Sequence, residues 1–375
     1  MSSWIPDLSG RKGPLYRAIV DTIAGDIAAG RLRPGDRLPT HRDLAWRLKV
    51  TVGTVARAYA EAERQGLLSG EVGRGTFVRD NNRDGWPAIN QFMDPVLAGR
   101  GGIINMALNR PSHDQGASVI GPALEILARR ADLPQVLAYN LEPAFPRHRA
   151  AAARWLEWEG LPTSPDQIVV GVGSQQCLIG ALAATTHPGD TVLVEDFTYP
   201  GIKSAASLLG RQLVPLPTDE GGLIPDEVER AFAERPGRVL YTIATVHNPL
   251  NVTLSADRRR AIARSARRHD AFIIEDGIHR FLHPDAPDPF RALAPDNALY
   301  VTALAKCVSP GLRVGFLAIP ERLRGRAEAA VGATTLTLAT LLIEVAAMLI
   351  EDGSAFALAE AQRAESAARV ELAAG

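Results

Sequence analysis

Lysine is almost missing from this 375-residue chain: Lys12, Lys49, Lys203 and Lys306 stand against 37 arginines (41 − 4). A guanidinium neither loses its proton nor forms a Schiff base, whereas an amine does both, so each retained lysine raises the question of what arginine could not do there. Cysteine is scarcer still. Cys177 and Cys307 alone exclude a disulfide framework and point to a reducing, cytoplasmic setting. The first thirteen residues, MSSWIPDLSGRKG, lack the apolar core of a secretory leader. No G-x-S-x-G nucleophile elbow occurs. A composition of 46% hydrophobic and 22% charged residues excludes a disordered or collagen-like chain and allows a sizeable core in two or three domains.

One long apolar run exists. Ala329 to Ile350 carries a single charge, Glu344, over 22 residues, enough to span a bilayer. Gly332, four threonines, the mid-segment carboxylate and the missing basic flank argue instead for one helix buried on a large core. Net charge is −1, unevenly spread. Residues 1–80 hold 13 Lys+Arg against 9 Asp+Glu, a balance of +4, and the remainder holds 28 against 33, a balance of −5. A basic head on a mildly acidic body points to a polyanion partner for the head alone.

In the head, Leu15, Ile19, Ile23 and Ile27 recur every four residues and predict an amphipathic helix over 14–29, stopped by Gly30. Thr40, with Asp43 three residues on, caps a short second helix that turns Leu44, Ala45 and Leu48 inward. Val50 and Thr51 open a third, whose inward face is Val52 or Val55 with Tyr59 and Ala62, closing at Gly66. Two short strands, Leu67–Ser69 and Thr76–Arg79, flank a turn from Gly70 to Gly75. Three helices and a β wing make a winged helix-turn-helix, thin enough at its third helix to enter a major groove.

LPTHRDLAWRLKV, TVGTVARAYAEAERQGLL and the wing GRGTFV resemble the GntR family of bacterial regulators over residues 14–78. The resemblance implies double-stranded DNA as partner, met by Arg42, Thr51, Thr54, Arg74, Gly75 and Thr76. Arg57, one turn beyond Thr54, joins them by its spacing. Val52 stands where the family often has Arg, which bears on base readout at that position. The head therefore takes residues 1–79. Residues 80–102, rich in Asn, Asp, Gly and Pro, read as a tether to a body over 103–375.

In the body, apolar β-branched runs at Ile168–Val172, Thr191–Val194, Val239–Ala244, Phe272–Ile274, Leu299–Thr302 and Val314–Ile319 predict strands. Helical patterns at Ala144–Glu159, Gln175–Thr186, Pro225–Glu234, Ala256–His269 and Ala355–Leu372 separate or follow them. Such alternation predicts an α/β fold with a mostly parallel sheet and a ligand at the carboxyl ends of its strands. IVVGVGSQQCLIGAL reads as strand, turn and helix, a start able to cradle a phosphate. His279 and His283 share helical spacing, but no third ligand stands out, and no metal is expected. Cys307 reads as a buried filler, or as a reactive thiol if the neighbouring amine lowers its pKa.

EDFTYPG at 195–201, HNP at 247–249, EDG at 275–277 and Lys306 followed by Arg313 lie in the order found in pyridoxal-phosphate enzymes of the aspartate aminotransferase fold. With the head, the whole resembles the MocR branch of the GntR family, in which a winged head precedes an aminotransferase-like αβα domain. The resemblance implies pyridoxal 5'-phosphate as cofactor, a homodimer and a cytoplasmic place. It assigns Lys306 to the Schiff base, Asp276 to the pyridine nitrogen, Tyr199 to the ring face and Asn248 to the phenolic oxygen. Ser174, Gln175 and Arg313 fall to the phosphate, and Lys306, Asp276 and Tyr199 form the catalytic set.

Four departures weigh on that assignment. Ile278 stands where Tyr is usual; TALAK at 302–306 offers only Thr302 for a phosphate contact; HNPLN replaces HNPTG. The small C-terminal domain with its carboxylate-binding Arg has no counterpart before Gly375, so a shortened or partial body is expected. The reading is a DNA-binding transcription regulator that senses pyridoxal phosphate or an amino compound. An active aminotransferase with a DNA-binding head, and a cofactor-free dimerisation body, stay open beside it.

Overall fold

The computed structural model describes residues 4–8, 14–28, 30–33, 35–64, 67–71, 75–78, 111, 113–140, 145–234 and 239–374. The chain divides into two compact units, Met1–Pro87 and Ala88–Gly375. The tether read at 80–102 lies outside the described residues.

The head is built from α1 (Leu15–Ala28), α2 (His41–Leu48), α3 (Val52–Arg64) and an antiparallel hairpin of β1 (Leu68–Glu71) and β2 (Gly75–Val78). Its core is Ile19, Ile23, Leu44, Val55, Ala58, Tyr59, Ala62, Leu68 and Val78. Leu15, expected inward, is half exposed at 50%; Ala18 and Val20 take its share of burial, because the buried stripe begins one turn later. Of the two candidates on α3, Val55 is buried and Val52 exposed. Thr40 caps α2 by accepting the Asp43 N–H at 3.2 Å. The Asp43 carboxylate does not close the capping box; it takes the Arg47 guanidinium at 3.0 Å.

In the body, successive strand residues divide between two cores. Val192 and Val194 of β4 (Thr191–Glu195), Val239 and Tyr241 of β8 (Val239–Thr242) and Ile274 of β9 (Phe272–Asp276) enter one cluster. Leu193, Leu240 and Ile273, the residues between, enter the other. Side chains alternate along a strand, so a run apolar at every position must be covered on both faces. Helices Pro146–Trp158, Gly173–Thr185, Glu321–Thr335 and Thr340–Glu351 carry residues of the first cluster; Pro225–Glu234, Ala256–Arg268 and Phe290–Leu293 carry residues of the second. The result is an αβα sandwich.

The seven strands run in the order β3, β11, β10, β9, β8, β4, β5, where β3 is Ile168–Gly171, β5 Gln212–Leu216, β10 Ala298–Ala303 and β11 Gly315–Ala318. Only β11 opposes its neighbours. A small hairpin of β6 (Thr218–Asp219) and β7 (Gly222–Leu223) follows β5. Edge strand β5 was not anticipated: QLVPL alternates too weakly and carries Pro215, which an edge tolerates.

The apolar run at 329–350 is a correction. It forms two helices, not one: Glu321–Thr335 ends and Thr340–Glu351 begins across a break where Leu336 has φ 62° and lies 72% exposed. The mid-run carboxylate is the reason the second piece stays in the protein. Glu344 is buried and meets His148 at 2.6 Å as well as Arg130 and Arg147, tying this helix to Pro146–Trp158. No described helix is long and apolar enough to cross a membrane.

Candidate functional site

The carboxyl ends of β8, β9 and β10 and the start of helix Gly173–Thr185 place the residues singled out in the sequence. β9 ends on Asp276, which is buried, with the Tyr241 hydroxyl donating to its Oδ2 at 2.9 Å and the Ile278 N–H to its Oδ1 at 3.2 Å. Burial pushes its pKa up to about 6, against the opposite pull of Tyr241, the Ile278 amide and the Lys306 charge. The neighbouring Glu275 holds the strand end in place: it pairs at 2.9 Å with the fully buried Arg259 and accepts the Phe290 N–H at 2.7 Å.

Lys306 closes the tight 3-10 turn Leu304–Lys306 after β10. Burial lowers the pKa of its amine, and Asp276 works the other way. An amine held below its ordinary range is more often neutral, which is the form that attacks a carbonyl.

Arg313 lies over the first turn of helix Gly173–Thr185. Gly173 has φ 77°, and a Cβ there would sit 2.7 Å from Arg313 Nη2, so only glycine leaves room for the guanidinium. Arg313 donates to the Val172 carbonyl at 3.3 Å, and Ser174 follows at the helix start, half-buried. Gln175 donates through Nε2 to the Gly201 carbonyl at 2.8 Å, while its Oε1 is buried without a partner among the described residues. Tyr199 packs over the same glycine: a Cβ on Gly201 would fall 2.1 Å from its ring. Burial raises the Tyr199 phenol pKa, the Asp276 charge adds to that, and Arg313 opposes it. Tyr199, Asp276, Lys306 and Arg313 therefore share one electrostatic neighbourhood.

Asn248 sits half-buried in the turn after β8 and precedes a cis peptide to Pro249. His247 shapes this turn. Its Nδ1 accepts the Leu250 N–H at 3.3 Å, and its carbonyl accepts the Asn251 N–H at 2.6 Å. The other ring nitrogen, Nε2, is buried without a partner 3.7 Å from Glu195 Oε1, and Glu195 Oε2 is buried and equally unpartnered among the described residues. His279 bonds the Val246 carbonyl through Nδ1 at 3.2 Å. Its pKa falls to about 4, first through burial and then through the Lys306 charge. His279 thus belongs to the Lys306 neighbourhood. Among the described residues no group of three His, Cys, Asp or Glu side chains is placed to hold a metal.

One expectation is corrected, and for Cys307 the structure favours the first of its two readings. The Thr302 hydroxyl is not turned toward the helix start; it donates to the buried Glu159 at 3.0 Å, because its place in β10 turns it to the helix Pro146–Trp158 side. The Cys307 thiol is a filler: it is buried, its nearest acceptor is the Leu304 carbonyl at 3.7 Å, and burial pushes its pKa up. Tyr241 and Glu159 were not singled out in the sequence, and Glu195 and His247 stood there only inside EDFTYPG and HNP, without a role. A signal was present for two of them: Tyr241 is a polar tip inside the apolar run VLYT, and Glu195 a charge at the end of TVLVE.

On the head, Arg42 is exposed at the start of α2. Thr51 and Thr54 meet at the start of α3, hydroxyl to hydroxyl at 2.9 Å, with Thr51 Oγ1 accepting the Thr54 N–H at 3.2 Å. Arg57 is exposed and Gly75 opens β2 at φ 121°, followed by Thr76, whose carbonyl accepts the Leu38 N–H at 2.8 Å. Arg74 lies outside the described residues. Thr51, Thr54 and Arg57 line one groove; Arg42, Gly75 and Thr76 do not border it.

The sequence model of aminotransferase class I and II matches residues 102–372. The chain belongs to that family. Ahead of this aminotransferase-family body, the model of bacterial regulatory proteins of the gntR family matches residues 15–78. The fusion recurs in regulators: the HTH-type transcriptional regulator YdeF of Bacillus subtilis is 29% identical over 99% of this chain and 79% of its own length. YisV of the same organism is 30% identical over 86% of this chain and 70% of its own, and the pyridoxine biosynthesis regulator PdxR of Corynebacterium glutamicum is 29% identical over 80% and 65%. Among solved structures, the multiple substrate aminotransferase of Thermococcus profundus superposes with a TM-score of 0.64 at 26% identity, over 74% of this chain and 70% of that one. An archaeal alanine:glyoxylate aminotransferase gives 0.63 at 22%, over 79% and 72%, a likeness of fold. This aminotransferase-family chain thus has a GntR head on an aminotransferase fold, as its sequence led one to expect.

Proposed function

We propose that the chain is a transcription regulator of the cytoplasm, acting as a homodimer on double-stranded DNA, whose body holds pyridoxal 5'-phosphate and reads that cofactor or an amino compound. The observation that carries the body's part is the meeting of a desolvated amine, Lys306, with a buried carboxyl, Asp276, beside a glycine-lined helix start covered by Arg313. These residues fit the cofactor. The first-turn amides of Ser174 and Gln175 and the Arg313 guanidinium suit a dianionic phosphate. Tyr199 offers a ring face held in place by Gly201, and Asn248 an amide in the turn after β8.

When bound, the cofactor supplies an aldehyde for an amine and a ring able to draw off electrons. Lys306 is the amine, and its desolvation favours the neutral form. Asp276, anchored by Tyr241, would hold a proton at the ring nitrogen; the same anchor keeps its carboxyl from turning away. Support for the head comes from its exposed Arg42 and Thr51 and half-buried Thr54, positions that the resemblance carries onto DNA, and from the exposed Arg57 one turn beyond. Support for a sensor over a turnover enzyme comes from the surroundings of Lys306, where Thr302 is committed to Glu159 and Ile278 replaces a hydroxyl.

The test is a DNA-binding titration of the full chain on duplexes it selects from a randomised pool, with and without pyridoxal phosphate. Lys306→Ala should bind DNA as the wild type does in the absence of cofactor and lose the response to it. An unchanged response in Lys306→Ala refutes the sensor reading, and product formation from amino acids with an oxo-acid acceptor would replace it with the enzyme reading.

A further inference from the structure

The charge of the head is not spread evenly over its arginines. Arg31 is neutralised by Asp26, Arg47 by Asp43 and Arg64 by Glu61. Arg17 and Arg57 form no ion pair with a described residue. Both are organised instead by one aromatic side chain. The Arg57 guanidinium stands 4.1 Å from the centroid of the Tyr16 ring, in the geometry of a cation over a π face, and Arg17 donates through Nε to the Tyr16 hydroxyl at 3.1 Å. Tyr16 is itself half-buried against the head's core, so it is a fixed platform carrying two exposed cations. The platform borders a groove of about 440 Å³ lined by Pro14, Leu15, Tyr16, Gly53, Thr54 and Arg57, with Thr51 at its end. A Cβ on Gly53 would approach nothing nearer than 3.8 Å, so packing does not demand that glycine and the floor of the groove is left bare.

We propose that Tyr16 is a positioning residue for DNA and that Arg17 and Arg57, oriented by it, are two contacts to the phosphate backbone, extending the DNA-binding surface from α3 onto α1. The inference rests on the DNA-binding reading of the head and adds residues to it. Its physical basis is that an uncompensated guanidinium on an open surface is worth most to a polyanion when its rotamers are already restricted. Stacking on a tyrosine does that without neutralising the charge, as a carboxylate partner would. The contacts are of the positioning kind, indifferent to base sequence. The occupant is the backbone of duplex DNA, because the groove joins the threonines that head the recognition helix and carries no carboxylate among its lining residues.

The experiment measures the affinity of the full chain for a labelled duplex of mixed sequence over a range of salt, by fluorescence anisotropy. Wild type is compared with Arg17→Ala, Arg57→Ala, Tyr16→Phe, Tyr16→Ala, Tyr16→Ala combined with Arg57→Ala, and Arg42→Ala as a reference. Each lost phosphate contact should reduce the slope of log affinity against log salt by about 0.9. Arg17→Ala and Arg57→Ala should each do so. Tyr16→Phe should keep the Arg57 contact and weaken that of Arg17. Tyr16→Ala should weaken binding several-fold in the wild-type background and hardly at all in Arg57→Ala. Slopes unchanged in Arg17→Ala and Arg57→Ala while Arg42→Ala lowers its own would overturn the proposal and leave the DNA reading intact, as would full additivity of Tyr16→Ala with Arg57→Ala. No binding by the wild type would defeat both. Circular dichroism of each variant shows that the head remains folded, and Tyr16→Phe keeps the test valid should Tyr16→Ala unfold it.

Discussion

Glu159 gives the clearest physical prediction in the body. It follows the helix Pro146–Trp158, accepts the Thr302 hydroxyl at 3.0 Å and the Tyr300 hydroxyl at 3.2 Å, and forms no ion pair with a described residue. Burial pushes its pKa from 4.5 up to about 8, with the two hydroxyls and Arg280 pulling only part of the way back. The folded pKa is raised, so the stabilising effect of holding the proton is fully present below the unfolded value of 4.5 and is lost as pH rises through 8. At pH 6 the folded protein keeps the proton while the unfolded chain has lost it. By pH 9 both are ionised, and the folded state must bury a carboxylate. Two units below a folded pKa of 8, at 1.36 kcal/mol per unit, amount to roughly 3 kcal/mol lost between pH 6 and pH 9. Glu159→Gln mimics the protonated carboxyl, with one acceptor oxygen and one donor position, and cannot ionise. Urea denaturation midpoints of wild type and Glu159→Gln should therefore diverge across that range, the wild type falling relative to the variant. Parallel curves would show that Glu159 is not held neutral and would refute the reasoning.

Other consequences are equally direct. Thr40→Ala removes the oxygen that accepts the Asp43 N–H and should cost the head about 1 kcal/mol, read from thermal or urea melts, with no change in the body's unfolding. Gly173→Ala places a Cβ 2.7 Å from Arg313 Nη2 at φ 77°, so the first turn is strained and the guanidinium must shift from its place over it. Pyridoxal phosphate affinity should fall at least tenfold by equilibrium dialysis, whereas a Gly189→Ala control, strained at φ 90° but open within 4 Å, should leave it unchanged.

Much of this arrangement was legible before any coordinates. The strands of the central sheet were read because they are buried on both faces, and runs such as IVVG and VLYT have no other stable use. The helices over 225–234 and 256–268 declared themselves by their charged outer faces. β5 was missed because this edge strand is only partly buried and carries Pro215, unlike the opposite edge β3, which is buried throughout. The break at Leu336 was invisible since a positive φ in a non-glycine residue is imposed by packing, and no residue type announces it. Lys306, Asp276 and Tyr199 were singled out through the family resemblance, and the structure sets Asp276 close enough to both Lys306 and Tyr199 to act on their charges. Tyr241, which anchors Asp276, and Glu159, which takes Thr302, could not be found that way. They act across the sheet, from neighbouring layers, and local sequence says nothing about which buried hydroxyl faces which carboxyl.

The central claim is that Lys306 holds the cofactor, and the visible absorption spectrum of the purified full chain with added pyridoxal phosphate tests it most directly. Wild type should develop a Schiff-base band that borohydride removes, fixing the cofactor's mass to the peptide containing Lys306, while Lys306→Ala shows only free cofactor. A band of equal strength in Lys306→Ala, or none in the wild type, would contradict the account and leave the body as a scaffold for the head.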